Sequence, residues 1–159
     1  MSLIILSSTQ TGVGVQSPAK FSNALSNTIT IPPYSEIAVV NCKIYRAPLT
    51  VPVADPFMTF IRSNSFTHQS YNFNKGLPSK ILWTVPRFEN GGAGLVGAGP
   101  SLVGSLYYQQ DNPIYLDLNN AAPIVINVID IEFVDIDEVP VTDLTGPSVV
   151  SLHIRKSRR

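Results

Sequence analysis

Charge is what this sequence has least of. Of its 159 residues only 14% are Asp, Glu, Lys or Arg, and the formal net charge is zero; an ordinary soluble domain carries about a quarter charged residues. The hydrophobic fraction, 44%, is normal, so Ser, Thr, Asn, Gln, Gly and Pro have taken the place of charge. A neutral surface of this kind tends to self-associate, and interface cores are depleted in charge. The composition therefore points to a surface covered by neighbouring subunits, set against the plainer reading of a small β-domain with a polar, uncharged exterior.

Cysteine is almost absent too. Cys42 stands alone, which excludes an intrachain disulfide; stability then rests on packing and strand pairing, and synthesis in a reducing intracellular compartment is expected. No run approaches the roughly 20 apolar residues needed to span a bilayer as a helix. The opening "MSLIILSSTQ" has four consecutive apolar residues and no basic segment, unlike a secretory signal. Nor does an Asn-x-Ser/Thr glycosylation acceptor occur. Long helices are missing as well, because thirteen prolines and ten glycines cut the chain into short pieces.

What remains is strand material: segments rich in Ile, Val, Thr, Tyr and Phe. Strands are predicted at 2–6, 27–31, 36–46, 57–62, 66–73, 80–85, 105–109, 114–118, 124–134 and 148–155. Between them lie turn signals such as "IPPYS", "KGLPS", "QQDNP" and "VTDLTGP". In 36–46 the even positions Ala38, Val40, Cys42 and Ile44 form one apolar face, while the odd face begins apolar at Ile37 and Val39 and turns polar at Asn41 and Lys43. That pattern predicts burial on one side throughout and on both sides for part of the length, with Cys42 a core side chain. The chain is read as one all-β domain over 1–159, a single jelly-roll β-sandwich of about eight strands. Residues 91–104, "GGAGLVGAGPSLVG", hold six of the ten glycines and are read as a long loop. Residues 155–159 are read as a basic tail.

Motifs that could carry chemistry fail on context. Gly92, Gly94 and Gly97 spell G-x-G-x-x-G, with Asp117 twenty residues on, but the dinucleotide fingerprint needs a strand before it and a helix after it. Gly99, Pro100 and Gly104 forbid that helix, since proline alone costs roughly 3 kcal/mol inside one. The acids Asp130, Glu132, Asp135, Asp137 and Glu138 could suggest calcium. Asp130 and Glu132, however, alternate with Ile129, Ile131 and Phe133, which predicts a solvated strand face running into a turn before Pro140. His68 and His153 are the only histidines, and no nucleophile elbow accompanies them. The reading is of a protein that is not an enzyme, with no cofactor and no metal.

Two blocks carry a resemblance. "FSNALSNTITIPPYSEIAVVNCKI" (Phe21 to Ile44) and "PIYLDLNNAAPIVINVIDIEFVDIDEVPVTDLTGPSVVSLHIR" (Pro113 to Arg155) resemble small virion proteins of the large icosahedral double-stranded DNA viruses of algae and protists, the double-jelly-roll capsid lineage. The middle of the chain is unmatched, and the Gly-rich 91–104 segment departs from the pattern. The resemblance implies a single jelly-roll capsid component. It would be a penton subunit forming a homopentamer at the five-fold vertices and contacting the major capsid protein, or a minor protein cementing capsomers. A carbohydrate- or receptor-binding jelly roll is the reading from another class; it would need an exposed aromatic platform, and Trp83 in "ILWTV" reads as buried. Tyr34, Tyr107 and Tyr108 are candidate interface anchors, with Tyr45 and Tyr115 beside them, since tyrosine is enriched at interfaces. Arg155, Lys156, Arg158 and Arg159 form a basic end suited to an acidic capsid surface or to weak nucleic-acid contact.

Overall fold

The computed structural model describes residues 2–10, 14, 16–46, 58–68, 70–72, 76–86 and 104–157. The Gly-rich segment before Gly104, together with Arg158 and Arg159, lies outside the described residues. Among the described residues eleven strands follow one another: β1 (Ser2–Ser7), β2 (Lys20–Ile31), β3 (Ser35–Arg46), β4 (Met58–Arg62), β5 (Ser70–Asn72), β6 (Leu77–Ser79), β7 (Ile81–Pro86), β8 (Gly104–Gln109), β9 (Leu116–Asp117), β10 (Ile124–Val134) and β11 (Val149–Lys156). No helix among the described residues is long and apolar enough to cross a membrane.

The strands form a β-sandwich, as the alternating patterns predict. One sheet runs β1-β11-β3-β8, with β9 also on β3; the other runs β2-β10-β4-β7; β5 and β6 make a small separate ribbon. Every pairing is antiparallel, and the pairs nest: β4 with β7, β3 with β8, β2 with β10, β1 with β11. Alternate pairs fall in alternate sheets, and β11–β3 and β10–β4 contacts stitch them together. The strands at 57–62, 80–85, 105–109, 124–134 and 148–155 lie close to their predicted positions. β2 begins well before the predicted 27–31, while the predicted 66–73 and 114–118 shrink to three- and two-residue strands.

Between the sheets lies one core, in which Phe21, Ile31, Ile37, Ile44, Ile61, Ile129, Ile131, Phe133 and Leu152 are essentially sealed from water. Each such side chain contributes about 1.5–3 kcal/mol of burial.

At its start β3 is buried on both sides, as expected, with Ile37, Ala38 and Val39 all enclosed; what changes is the face assigned to the even positions. Leu152 pairs with Val39 and Ser151 with Asn41, so Val40 is an extra residue without a partner in that ladder. The bulge switches the alternation. Ile37 and Val39 before it and Cys42 and Ile44 after it then all point into the same core. The core face is therefore odd-numbered before the bulge and even-numbered after it. Val40 still uses its carbonyl, which accepts from Gln110 N at 3.0 Å.

At the flank where β1 and β2 are the sheet edges, a polar residue sits inside. Asn23 has 0% exposure. Its Oδ1 accepts from Ser7 N at 2.8 Å and its Nδ2 donates to Ser7 O at 2.9 Å. The side chain thus serves as a one-residue strand partner for β1 and ties the two sheets together.

Candidate functional site

One end of the sandwich gathers three turns: the β2–β3 connection, the 118–122 segment, and the exit of β11. Pro32 and Pro33 leave the chain little freedom before Tyr34, which adopts φ 57°. For a residue with a side chain this left-handed backbone costs about 1–2 kcal/mol. The surroundings hold it there. Tyr34 N donates to Asn120 O at 2.8 Å, and Ser157 N donates to Tyr34 O at 2.7 Å. Asn120 itself is buried; its Oδ1 accepts from Ser35 N at 3.0 Å and its Nδ2 donates to Pro32 O at 2.7 Å. Asn119, next to it, is also left-handed at φ 52°. The outcome is a rigid platform from which the Tyr34 side chain, 62% exposed, projects into solvent. Backbone strain held in place by its surroundings makes this turn a candidate site.

Below Tyr34 the basic end of β11 is built into the sheet. Arg155 Nε donates to Glu36 Oε2 at 3.0 Å, and the guanidinium lies 3.4 Å from the centroid of the Tyr115 ring. Tyr115 OH meets His153 Nδ1 at 2.6 Å, with the rings edge-on, and Ser157 Oγ donates to Glu36 Oε1 at 3.0 Å. Arg155 is therefore not part of a loose tail. It is the centre of an intramolecular array, and only Lys156 of the described basic residues there is exposed. The expected tail begins later than 155, because Arg155 and Lys156 are strand residues paired with Glu36 and Ser35. A cleft bounded by Thr30, Pro32, Ser35, Ile154, Arg155 and Lys156 has a volume of about 50 Å³, room for a water or two and not for a sugar ring.

The acidic cluster overturns one expectation. Glu132 does not face solvent: it is 3% exposed. Its carboxylate takes Lys20 Nζ at 2.6 Å and Arg62 Nε at 2.8 Å, and Arg62 reaches on to Glu138 at 3.1 Å. Burial would raise the Glu132 pKa, but the hydrogen bonds and charges of Lys20 and Arg62 outweigh it and hold the carboxyl below its ordinary value. Burial likewise works against the Arg62 cation, and the two glutamates more than offset it, so its pKa is raised. Asp130 organises the chain after β4, accepting from Asn64 N at 3.0 Å, Asn64 Nδ2 at 3.3 Å and the hydroxyls of Ser63 and Ser65. Asp135 closes the following turn, accepting from Asp137 N and Val139 N at 2.9 Å each. These acids hold the fold together, and among the described residues no three His, Cys, Asp or Glu converge on a cation position.

The remaining candidates lie on the opposite edge. Tyr107 is exposed on β8, its OH donating to Gln109 Oε1 at 3.0 Å. Tyr108 points inward, where its OH accepts from Trp83 Nε1 at 3.4 Å; Trp83 is partly buried against the core rather than displayed as a platform. Tyr45 packs against Gly146, where an added Cβ would come within 2.6 Å of the Tyr45 Cβ. Cys42 is buried. The structure thus brings Tyr34, Arg155 and Lys156 together and leaves Tyr107 and Tyr108 on β8. No protein family, curated protein or solved structure matches this chain. The site must be read from its own geometry. Sequence reasoning missed Asn120, which fixes the platform, and Asn23. Each is a polar residue whose neighbours in space are distant in sequence, and nothing local signals that.

Proposed function

We propose that this chain is a structural virion protein: a single jelly roll that serves as a penton subunit, forming a homopentamer at capsid five-fold vertices against the major capsid protein. The observation that carries the reading is the nested strand order. Counting only the eight principal strands, one sheet runs first-eighth-third-sixth and the other second-seventh-fourth-fifth, an order that supports reading the sandwich as a jelly roll of two Greek keys. Two further features support it. The surface is poor in charge, and large apolar or aromatic side chains stand in solvent at several separate places, including Leu3, Tyr34, Tyr107, Ile114 and Val125. A subunit covered on several sides by copies and neighbours needs such surfaces. Tyr34, on its strained platform beside Lys156, is the anchor expected to meet a neighbour.

The test is the solution mass of the purified chain by light scattering, over a range of salt and protein concentrations. A stable five-subunit species is expected. A chain that never forms one when mixed with the capsid components of its virus would sink the penton assignment in favour of a minor, capsomer-linking role.

A further inference from the structure

Edge strands in natural sheets are protected by charge, proline or bulges, because an open row of N–H and C=O groups recruits other strands. β1 has none of these protections. Its sequence, "SLIILS", is uncharged and free of proline, and it pairs with β11 over six consecutive residues without a register shift. β2 and β7, the edges of the other sheet, both carry irregular registers.

The backbone of β1 shows which groups are open. Ser7 turns its N–H and C=O away from β11, and the Asn23 side chain takes both. In an antiparallel ladder the outward groups recur at every second residue, so Ile5 and Leu3 present the same outward N–H and C=O. Among the described residues nothing takes them. Their side chains lie on the outer face of the sheet, 63% and 62% exposed. A short, unbulged, apolar strand edge, closed at one end by an asparagine, is left unfilled.

We propose that this edge pairs with the β1 edge of a second copy of the chain, antiparallel about a two-fold axis through Ile4. In that register Leu3 lies opposite Ile5 of the partner subunit, and Ile5 opposite Leu3 of the partner subunit. Each pair exchanges both backbone hydrogen bonds and stacks two aliphatic side chains on the outer face. The charge pattern favours a second copy over other strands. A two-fold contact places each group near its own counterpart, so any charge on the flank meets a like charge. Across β1 and β2, which together line this flank, the only charged residue is Lys20, and its ammonium is already held by Glu132 at 2.6 Å. The inference goes beyond the virion reading and needs no ring.

The experiment compares wild type with Ile5→Lys by light scattering across protein concentration, and adds single-cysteine cross-linking. Ile5→Lys places a cation at an exposed position and should leave the thermal melt unchanged while halving the mass of the largest species. Leu3→Cys mixed with Ile5→Cys should give a disulfide-linked dimer under mild oxidation, whereas each variant alone gives little; Cys42 is buried and does not compete. The cysteine pair carries the test if the lysine variant fails to fold. An unchanged mass in Ile5→Lys, or equal cross-linking in Leu3→Cys alone, overturns the proposal. So does dissociation of a five-subunit species to monomers in Ile5→Lys, which would make β1 a ring contact with a different strand and leave the penton reading standing.

Discussion

His68 is fully enclosed, and neither ring nitrogen reaches a well-placed hydrogen-bond partner among the described residues. Beside it the Lys80 ammonium donates to the carbonyls of Phe66 and His68 at 3.3 and 2.8 Å. Burial, only partly offset by the nearby backbone of Lys80 and Ile81 and assisted by the Lys80 cation, pushes the imidazole below its ordinary pKa of 6.5. The folded chain therefore keeps His68 neutral while the unfolded chain protonates it, so its contribution is intact above about pH 6.5 and declines as pH falls below that value. Glu132 acts in a lower window. Its folded pKa is depressed, so the stability it supplies is present above its ordinary 4.5 and is lost as pH falls through the folded value. Denaturant melts across acidic pH should show two successive losses. His68→Leu should remove the upper one and Glu132→Gln the lower, the latter also losing about 1–3 kcal/mol at neutral pH because Arg62 is left partly desolvated without its main partner. A melt in which His68→Leu retains the upper loss would remove His68 as its source.

Among the elements, β3 is shaped most by a single position. Deleting Val40 would remove the extra residue and place Ile37, Val39, Cys42 and Ile44 on one parity, so a regular ladder would still turn all four to the core. The expected outcome is a cooperative unfolding transition, monitored by circular dichroism, that survives the deletion, and Val40→Ala keeps the fold at a loss of about 1 kcal/mol; loss of the transition on deletion would show that the bulge itself is required. The same strand shows where the sequence could be read and where it could not. β11 alternates through Val150, Leu152 and Ile154, and β10 does so past its bulge between Ile126 and Val128, through Ile129, Ile131 and Phe133, so those inward faces follow directly. In β3 the apolar run was visible, but the bulge was not, because a run apolar on both parities has the same appearance whether it is buried on two sides or kinked onto one. β2 hid its first half behind Asn23, a polar residue at an inward position. Glu132 looked solvated for the converse reason: its alternation is right, but Lys20 and Arg62, from β2 and β4, close over it. In the sequence Tyr34 stands out only as one of several tyrosines of the kind enriched at interfaces, while Asn120, 85 residues beyond the Ser35 amide it accepts from, is not legible at all.

For the molecule as a whole, low charge becomes a statement about assembly. The contacts proposed for the β1 edge and the Tyr34 platform would bury apolar side chains and backbone pairs, with few ions to screen. Whatever species forms should therefore persist as sodium chloride is raised and strengthen in sulfate, which favours burial of apolar surface. Dissociation at moderate salt, read as a fall in mass, would instead assign the assembly to charged groups such as Lys156. The nesting of the strand pairs also sets a timetable. β4 and β7 are close in sequence and can meet early; β3–β8 and β2–β10 close progressively longer loops; β1 waits for β11, the last strand of all. Each later closure spans more chain and is slower. A nascent chain whose β11 is still inside the ribosome thus holds β1 with both edges bare and four aliphatic side chains in a row. Crowded synthesis of many copies is the moment at which that strand would find the wrong partner first.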